Sequence, residues 1–413
     1  MALSRADLEA LDRADPLRPF RDRFVLPEGV IYLDGNSLGA LPAATPARLA
    51  QVIGEEWGRD LIGSWNAHGW FDMQARIGAK IGRLIGAGDG ETIVADSTSI
   101  NVYKALSAAL QIAGAGRRTV LSERDNFPTD VYMAEGLIAQ LGGRHTLRLA
   151  VADEFPAAID GDTAVVMLTH ANYRTGRLHD MKALTKAAHE RGSLVIWDLC
   201  HSAGAVPVDL ADADYDFAVG CGYKFLNGGP GAPAFIAIAR RHQDAFRPAL
   251  AGWFGHARPF AFSESYEPAP GIARAAVGTP PVLSLAALET GVDLMTEAPI
   301  AELHRKALKQ FEIVRTLMDE RLAGHVFRLA ALEGSGGRGS QISYRHEHGW
   351  PIMQALIARG IVGDFRAPDI LRFGFTPLYL GYTELWDAVS ALRDIMETHA
   401  WDRPEFHKRL KVT

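Results

Sequence analysis

The chain has 413 residues, 48% hydrophobic and 22% charged, with a formal net charge of −6. That length exceeds one small core and suggests two domains, in a composition ordinary for a soluble globular protein. The acidic balance argues against a nucleic-acid surface, and no apolar run reaches the roughly 18 residues of a membrane span.

The N-terminus, MALSRADLEA, has no hydrophobic signal core, so a cytoplasmic protein is expected. The only cysteines, Cys200 and Cys221, lie in no metal-binding spacing, so buried free thiols and no metal site are expected. Residues 5–14 read as a short charged helix, followed by a proline-containing arm to residue 29. From Ile31 onward, short apolar runs alternate with amphipathic segments. The runs at residues 119–121, 164–168, 194–197, 217–219 and 234–238 are β-rich and separated by helical stretches. This pattern predicts a mainly parallel sheet covered on both faces. Met181, Leu184, Ala187 and Ala188 give helical spacing, and Gly192 is placed to end that helix. The run at 234–238 follows its neighbour after only a Gly/Pro loop, which predicts an antiparallel edge strand. Composition turns to Gly, Pro and Ala at residues 271–281. A helix then begins with Leu283, Leu285, Leu288, Val292 and Leu294 on its buried side. Beyond it come helices near 300–322 and 352–359, with strands near 341–344 and 370–373. The expected division is an arm (1–29) joining a small α+β domain (283–413), and a large α/β domain (30–282).

Asp198 follows the run 194–197, and Lys224 closes the run 217–219 through the small residues around Cys221. A carboxylate and a lysine at the ends of successive buried strands have a specific use. The carboxylate keeps a pyridine nitrogen protonated while the lysine forms a Schiff base with an aldehyde. That is the pairing a pyridoxal phosphate (PLP) enzyme needs. A surface lysine and a helix-capping aspartate is the plainer reading. Scarcity weakens it: there are nine lysines against thirty-four arginines, and this one sits in a Gly-rich loop.

In open α/β sheets, ligands lie beyond the C-terminal strand ends. Asp96-Ser97-Thr98-Ser99 precedes a helical stretch at 100–111, and hydroxyls at a helix start suit a phosphate. Simple N-capping accounts for that segment equally well. Phe127, in Asn126-Phe127-Pro128-Thr129-Asp130, could stack on a flat heteroaromatic ring, with Asp130 near its polar edge; alone, Phe127 reads as core. His201 is placed to bind a phosphate or to orient Asp198, and Tyr223 to reach the phosphate or move protons. Gly228-Gly229-Pro230-Gly231 permits close backbone approach or a tight turn. Arg372, flanked by apolar residues, is expensive to bury without an anion. A substrate carboxylate or a structural salt bridge would each supply one.

Together these residues resemble the class V, aspartate-aminotransferase-like (fold type I) PLP enzymes, and within them the kynureninase family, nearly end to end. Tyr32-Leu33-Asp34-Gly35-Asn36-Ser37-Leu38-Gly39, Thr98-Ser99-Ile100-Asn101, Phe127-Pro128-Thr129-Asp130, Asp198-Leu199-Cys200-His201 and Gly222-Tyr223-Lys224 match in order and spacing. So do Gly252-Trp253-Phe254-Gly255 and Gly278-Thr279-Pro280-Pro281. The resemblance implies a seven-stranded, mainly parallel α/β sheet with a smaller α+β domain. It implies that Lys224 carries PLP, Asp198 pairs with the ring nitrogen and Phe127 stacks on the ring. Asp130 joins the cofactor site. Thr98, Ser99, Tyr223, His201 and Trp253 would bind the phosphate, with Thr279 nearby and Trp253 supplied by the partner of a homodimer with shared active sites. Arg372 would hold the substrate α-carboxylate, Ser37 would lie beside the substrate, and Trp65 (or Ser64), Gly278 and Thr279 would line its aromatic end. Trp65 also reads as plain core with Trp57 and Trp70.

The reaction implied is hydrolysis of L-kynurenine to anthranilate and L-alanine, in tryptophan breakdown and NAD biosynthesis. L-Kynurenine is expected to be preferred over its 3-hydroxy derivative. A class V aminotransferase and a cysteine desulfurase-like lyase are the rivals, although no cysteine follows residue 221. A PLP-dependent regulator would need a basic helix-turn-helix module, and the arm is too short for one.

Overall fold

Short runs of β-branched and aromatic residues, buried on both faces, build the central sheet. The computed structural model describes residues 3–330 and 337–411. Its chain divides into two units. One comprises Ala44–Asn172 and His179–Thr296; the other comprises Met1–Ala43, Tyr173–Leu178 and Glu297–Thr413.

The first unit holds seven strands: β1 (Thr92–Val94), β2 (Thr119–Glu123), β3 (Thr146–Ala150), β4 (Thr163–Thr169), β5 (Leu194–Asp198), β6 (Phe217–Gly220) and β7 (Phe235–Ile238). Their order is β1-β7-β6-β5-β4-β2-β3. From β6 through β3 all neighbours run parallel. Every residue of β2, β4 and β6 is buried, as expected when helices cover both faces of a parallel sheet. Strand β7 is antiparallel to its neighbours, as its Gly/Pro connection predicts, but it is not an edge. The three-residue β1 pairs outside it, too short to show a period in the sequence. The other edge strand, β3, also escaped the sequence pattern because its burial is incomplete and it carries Arg148.

Helix α1 (Thr98–Ala113) follows β1, α2 (Pro128–Gln140) follows β2, and α3 (Met181–Glu190) precedes β5. Asp180 caps α3 by accepting from Ala183 N at 2.9 Å. Gly192 ends it at φ +72, its N–H donating to His189 O. Helix α4 (Val282–Glu297) buries Leu285, Leu288, Val292 and Leu294. Leu283, expected on that face, is 39% exposed; at roughly 100° per residue it points about 200° away from Leu285. Leu288 packs against Gly222 and Gly228, so α4 belongs to the first unit. The division at Glu297 thus falls one helix later than the limit at 282 read from composition.

The second unit contains an antiparallel sheet of β8 (Arg328–Leu329), β9 (Gln341–Arg345), β10 (Asp364–Arg366) and β11 (Ile370–Gly374), in the order β8-β9-β11-β10. Helices Ile300–Arg321, Gly349–Ile357 and Tyr382–Glu397 accompany it. The N-terminal helix, Arg5–Arg13, starts in a capping box between Ser4 and Asp7. Its Asp12 carboxylate accepts from Tyr382 N at 2.6 Å and Thr383 N at 2.9 Å, which caps the last of these helices. Among the described residues no helix is long and apolar enough to cross a membrane.

Candidate active site

The C-terminal ends of β5 and β6 bring Asp198 and Lys224 into one buried region. Asp198 is 3% exposed, and its carboxylate is fixed from two sides. Oδ1 accepts from Cys200 N at 2.8 Å, and Thr169 Oγ1 at the end of β4 lies 3.4 Å from Oδ2. The same hydroxyl donates to Asn126, whose Nδ2 donates to Ser122 Oγ at 3.0 Å. Sequence reasoning missed this polar chain. The only signal is a row of small polar residues where apolar strands end.

Lys224 is 9% exposed. Its Nζ lies 3.4 Å from His201 Nε2 and 5.7 Å from the centroids of both the Phe127 and Tyr223 rings. His201 therefore meets the lysine. Phe127 sits at the N-cap of α2 with its side chain partly open, so a flat ring could lie against it. Burial pushes the Tyr223 phenol far up, so it keeps its proton and acts as a donor. Asp130 is 1% exposed, with Oδ2 lacking any partner. Burial, reinforced by Asp198, raises its carboxyl well above the usual range and favours the neutral acid. The Gly-rich loop after Lys224 takes left-handed φ at Gly229 (+84) and Gly231 (+71), while Gly228 packs against Leu288. It shapes the turn and brings the backbone close.

Ser97 caps α1, accepting from Ile100 N, which leaves Thr98 and Ser99 in the first helical turn. Thr98 Oγ1 lies 3.6 Å from Cys200 Sγ, so this helix start adjoins the Asp198 strand end. Cys200 and Cys221 are both buried free thiols. They lie on adjacent strand ends, with Cys221 Sγ 3.8 Å from Cys200 O. Their mutual hydrogen bond, with burial, pushes the Cys200 thiol up.

These residues fit PLP: a buried amine beside an open aromatic face, a fixed carboxylate near a second carboxyl with one orphaned oxygen, and hydroxyls at a helix start. Trp253 stands on the surface, 41% exposed, with its ring against Phe254 and Phe260. Gly278 and Thr279 are exposed on a loop. Trp65 packs edge-on against Trp70 at 5.9 Å and near Phe254 at 6.1 Å. Trp57 does not share that packing; it is 57% exposed. Ser64 is buried and donates to Glu56 O.

The second unit holds Ser37 and Arg372 together. Arg372 is 1% exposed and already has an anionic partner, Asp364, bound through Nε at 2.8 Å and through Nη2. Nη2 also donates to Ser37 Oγ at 2.7 Å, and Nη1 to Tyr173 O at 2.8 Å. Arg366 shares the same carboxylate at 2.7 Å. Although burial opposes it, Arg372 holds Asp364 below the usual carboxylate range. Asp364 and Arg366 were missed, although their alternation about Phe365 places both on one strand face.

Burial and then Asp364 push the nearby Asp34 carboxyl up to about 7. The folded protein holds this proton more tightly than the unfolded chain. The stability Asp34 contributes is therefore full below about pH 4 and is lost as pH rises through about 7. The melting temperature of wild type minus that of Asp34→Asn should fall between roughly pH 5 and pH 8. A difference independent of pH would rule out the raised value.

A lysine and a carboxylate beyond parallel strand ends, beside a helix start with hydroxyls, fit a class V aminotransferase-like enzyme. The class-V aminotransferase model matches residues 79–330. Full-length relatives at 51–52% identity show that the chain belongs to the kynureninase family. Kynureninases from Burkholderia pseudomallei (strain 1106a) and Pseudomonas fluorescens are 52% and 51% identical over 99% of this chain and 100% of theirs. The kynureninase C-terminal domain model matches residues 303–392. Among solved structures, an apo cysteine desulfurase from Thermococcus onnurineus NA1 gives a TM-score of 0.76 at 18% identity, covering 96% of this chain and 100% of that one. The cysteine desulfurase CsdA from Escherichia coli gives 0.77 at 16%, covering 92% and 98%. These likenesses concern the fold alone. Both cysteines here are buried, unlike the mobile thiol a desulfurase needs.

Proposed function

We propose that the protein is a PLP-dependent hydrolase that adds water across the Cβ–Cγ bond of L-kynurenine, releasing anthranilate and L-alanine. The observation that carries this reading is the 52% identity with kynureninases along the whole chain. The bound cofactor supplies an aldehyde that condenses with amines and a ring that accepts electrons from the adjacent carbon.

The remaining work falls to this chain's side chains. Lys224 Nζ, buried beside His201, would hold the cofactor through its aldehyde and would serve as the base for the substrate's Cα proton. Asp198, fixed by Thr169 and the Cys200 N–H, holds the proton on the pyridine nitrogen. Burial and the Asp198 charge favour the protonated form of Asp130, which limits the charge placed beside Asp198. Phe127 covers the ring, while Thr98, Ser99 and His201 bind the phosphate. Burial raises the Tyr223 phenol, so it would hold a proton beside Lys224 and would serve as the proton donor toward Cβ. Arg372 takes the substrate α-carboxylate beside Ser37. Two guanidiniums share the Asp364 carboxylate, with the Asp34 carboxyl beside it pushed up to about 7, and the positive charge that these acids leave unbalanced supports this role.

A cytoplasmic homodimer completes the reading. Exposed Trp253, Phe260 (65%) and Phe262 (83%) form an aromatic surface suited to a second copy, with Trp253 reaching the partner's phosphate site. The two free thiols suit a reducing compartment.

Incubating the PLP-loaded protein with L-kynurenine should release fluorescent anthranilate and an equal amount of alanine. Amino-group exchange without anthranilate would favour an aminotransferase instead. We expect the specificity constant for L-kynurenine to exceed that for 3-hydroxykynurenine about tenfold. Trp65 offers an apolar face, and a hydroxyl stripped of water without a new partner costs roughly 1–3 kcal/mol, against ~1.4 per decade. Trp65→His with Thr279→Asn should narrow the ratio. Equal constants in wild type, or no shift in the variant, would reject the preference.

A further inference from the structure

Two of the chain's nine lysines are buried in the first unit, which holds the seven-stranded sheet: Lys224, and Lys104 in helix α1. The Lys104 side chain has no exposure at all, and its ammonium makes two contacts. Nζ lies 2.7 Å from Asp96 Oδ2 and 2.7 Å from the Ala275 carbonyl. Burying an ammonium is unfavourable unless it is paired, and burial lowers its pKa even against the pull of Asp96.

Both partners sit at informative places. Asp96 immediately precedes the Ser97 cap, two residues after β1, and it is held at φ +50, in the left-handed region that few non-glycine residues enter. Two residues later the chain presents Thr98 and Ser99. Ala275 lies just before Ala276 and Val277, whose carbonyls pack against Gly255 and Gly252; Val277 O accepts from Phe254 N at 3.1 Å. One buried cation therefore ties the start of α1 to the segment that supports the Trp253 turn and leads into Gly278-Thr279.

We infer that Lys104 is a positioning residue for the cofactor phosphate: by joining Asp96 to the Ala275 carbonyl, it fixes the turn from which Thr98 and Ser99 are presented. The inference rests on the PLP reading above. Lys104 itself does not touch the phosphate; its pairing with Asp96 makes it a brace. Without it, the helix start can still form through Ser97, but the turn before it loses its constraint. Phosphate binding weakens, while the groups that act on the substrate keep their places.

The test uses Lys104→Met and the double variant Lys104→Met/Asp96→Gly in the full-length protein. The double variant leaves neither an unpaired charge nor a strained residue, so it carries the test if the single variant does not fold. Each should bind PLP at least about tenfold more weakly by titration, a change of about 1.4 kcal/mol. At saturating PLP, kcat and the KM for L-kynurenine should stay within about twofold of wild type. A lowered apo melting temperature with unchanged PLP affinity in a folded variant would overturn the inference, since a purely structural role predicts that result. So would a fall in kcat at saturating PLP with affinity intact. Wild-type protein that takes up no PLP would overturn the cofactor reading and this inference with it.

Discussion

Lys224→Arg should give a folded protein that holds no cofactor covalently and turns over L-kynurenine at least about 10³-fold more slowly. Its guanidinium keeps the charge but stays protonated, so it can neither attack an aldehyde nor accept a proton from Cα. Positioned proton transfer alone contributes roughly 10²–10⁴-fold. Losing the anchoring reaction as well puts the variant beyond that range. The native side chain is 9% exposed and confined between His201 and the Phe127 and Tyr223 rings. The wider head group must displace one of them. Borohydride treatment followed by intact mass measurement gives the readout: the wild type should gain the cofactor mass and the variant should not. A covalent adduct on Lys224→Arg would mean that another amine carries the cofactor.

Asp198→Ala should lose about two decades or more in turnover at saturating PLP. A hydrogen bond to a charged group is worth roughly 1.5–3 kcal/mol, one to two decades at ~1.4 kcal/mol each. The loss should exceed that range, because protonation of the pyridine nitrogen matters most as the ring accepts charge. The change also strips an acceptor from the Cys200 N–H. Asp130→Ala, which removes a carboxyl whose burial favours the protonated form, should retain much of the activity. The contrast between the two carboxyls is the check. Near-normal turnover in Asp198→Ala would remove Asp198 from its role.

The spacing of apolar runs was enough to read five parallel or antiparallel strands and to place Asp198 and Lys224 at their ends. It could not reveal β1 or β3, since a three-residue strand has no period and a half-exposed edge no continuous apolar run. Short motifs identified what their own side chains do. They did not identify what holds those side chains. Thr169, Lys104 and Asp364 are brought to their partners by the fold, from positions 29, 8 and 8 residues away in the chain. Each looks ordinary in sequence. Arg372 illustrates the limit best: its burial was legible from its apolar neighbours, but the choice between an external and an internal carboxylate was not. The internal one, Asp364, is present, and it is shared.

The two thiols have a practical consequence. Cys200 and Cys221 are the chain's whole complement of sulfhydryls, and they are sealed into the strand ends that carry Asp198 and Lys224. A thiol reagent can reach them only when those ends part, so its labelling rate reports the free energy of local opening at the catalytic strands themselves. The protein thus contains a native probe of breathing at its own centre, and no engineered cysteine is required to follow how ligands damp it.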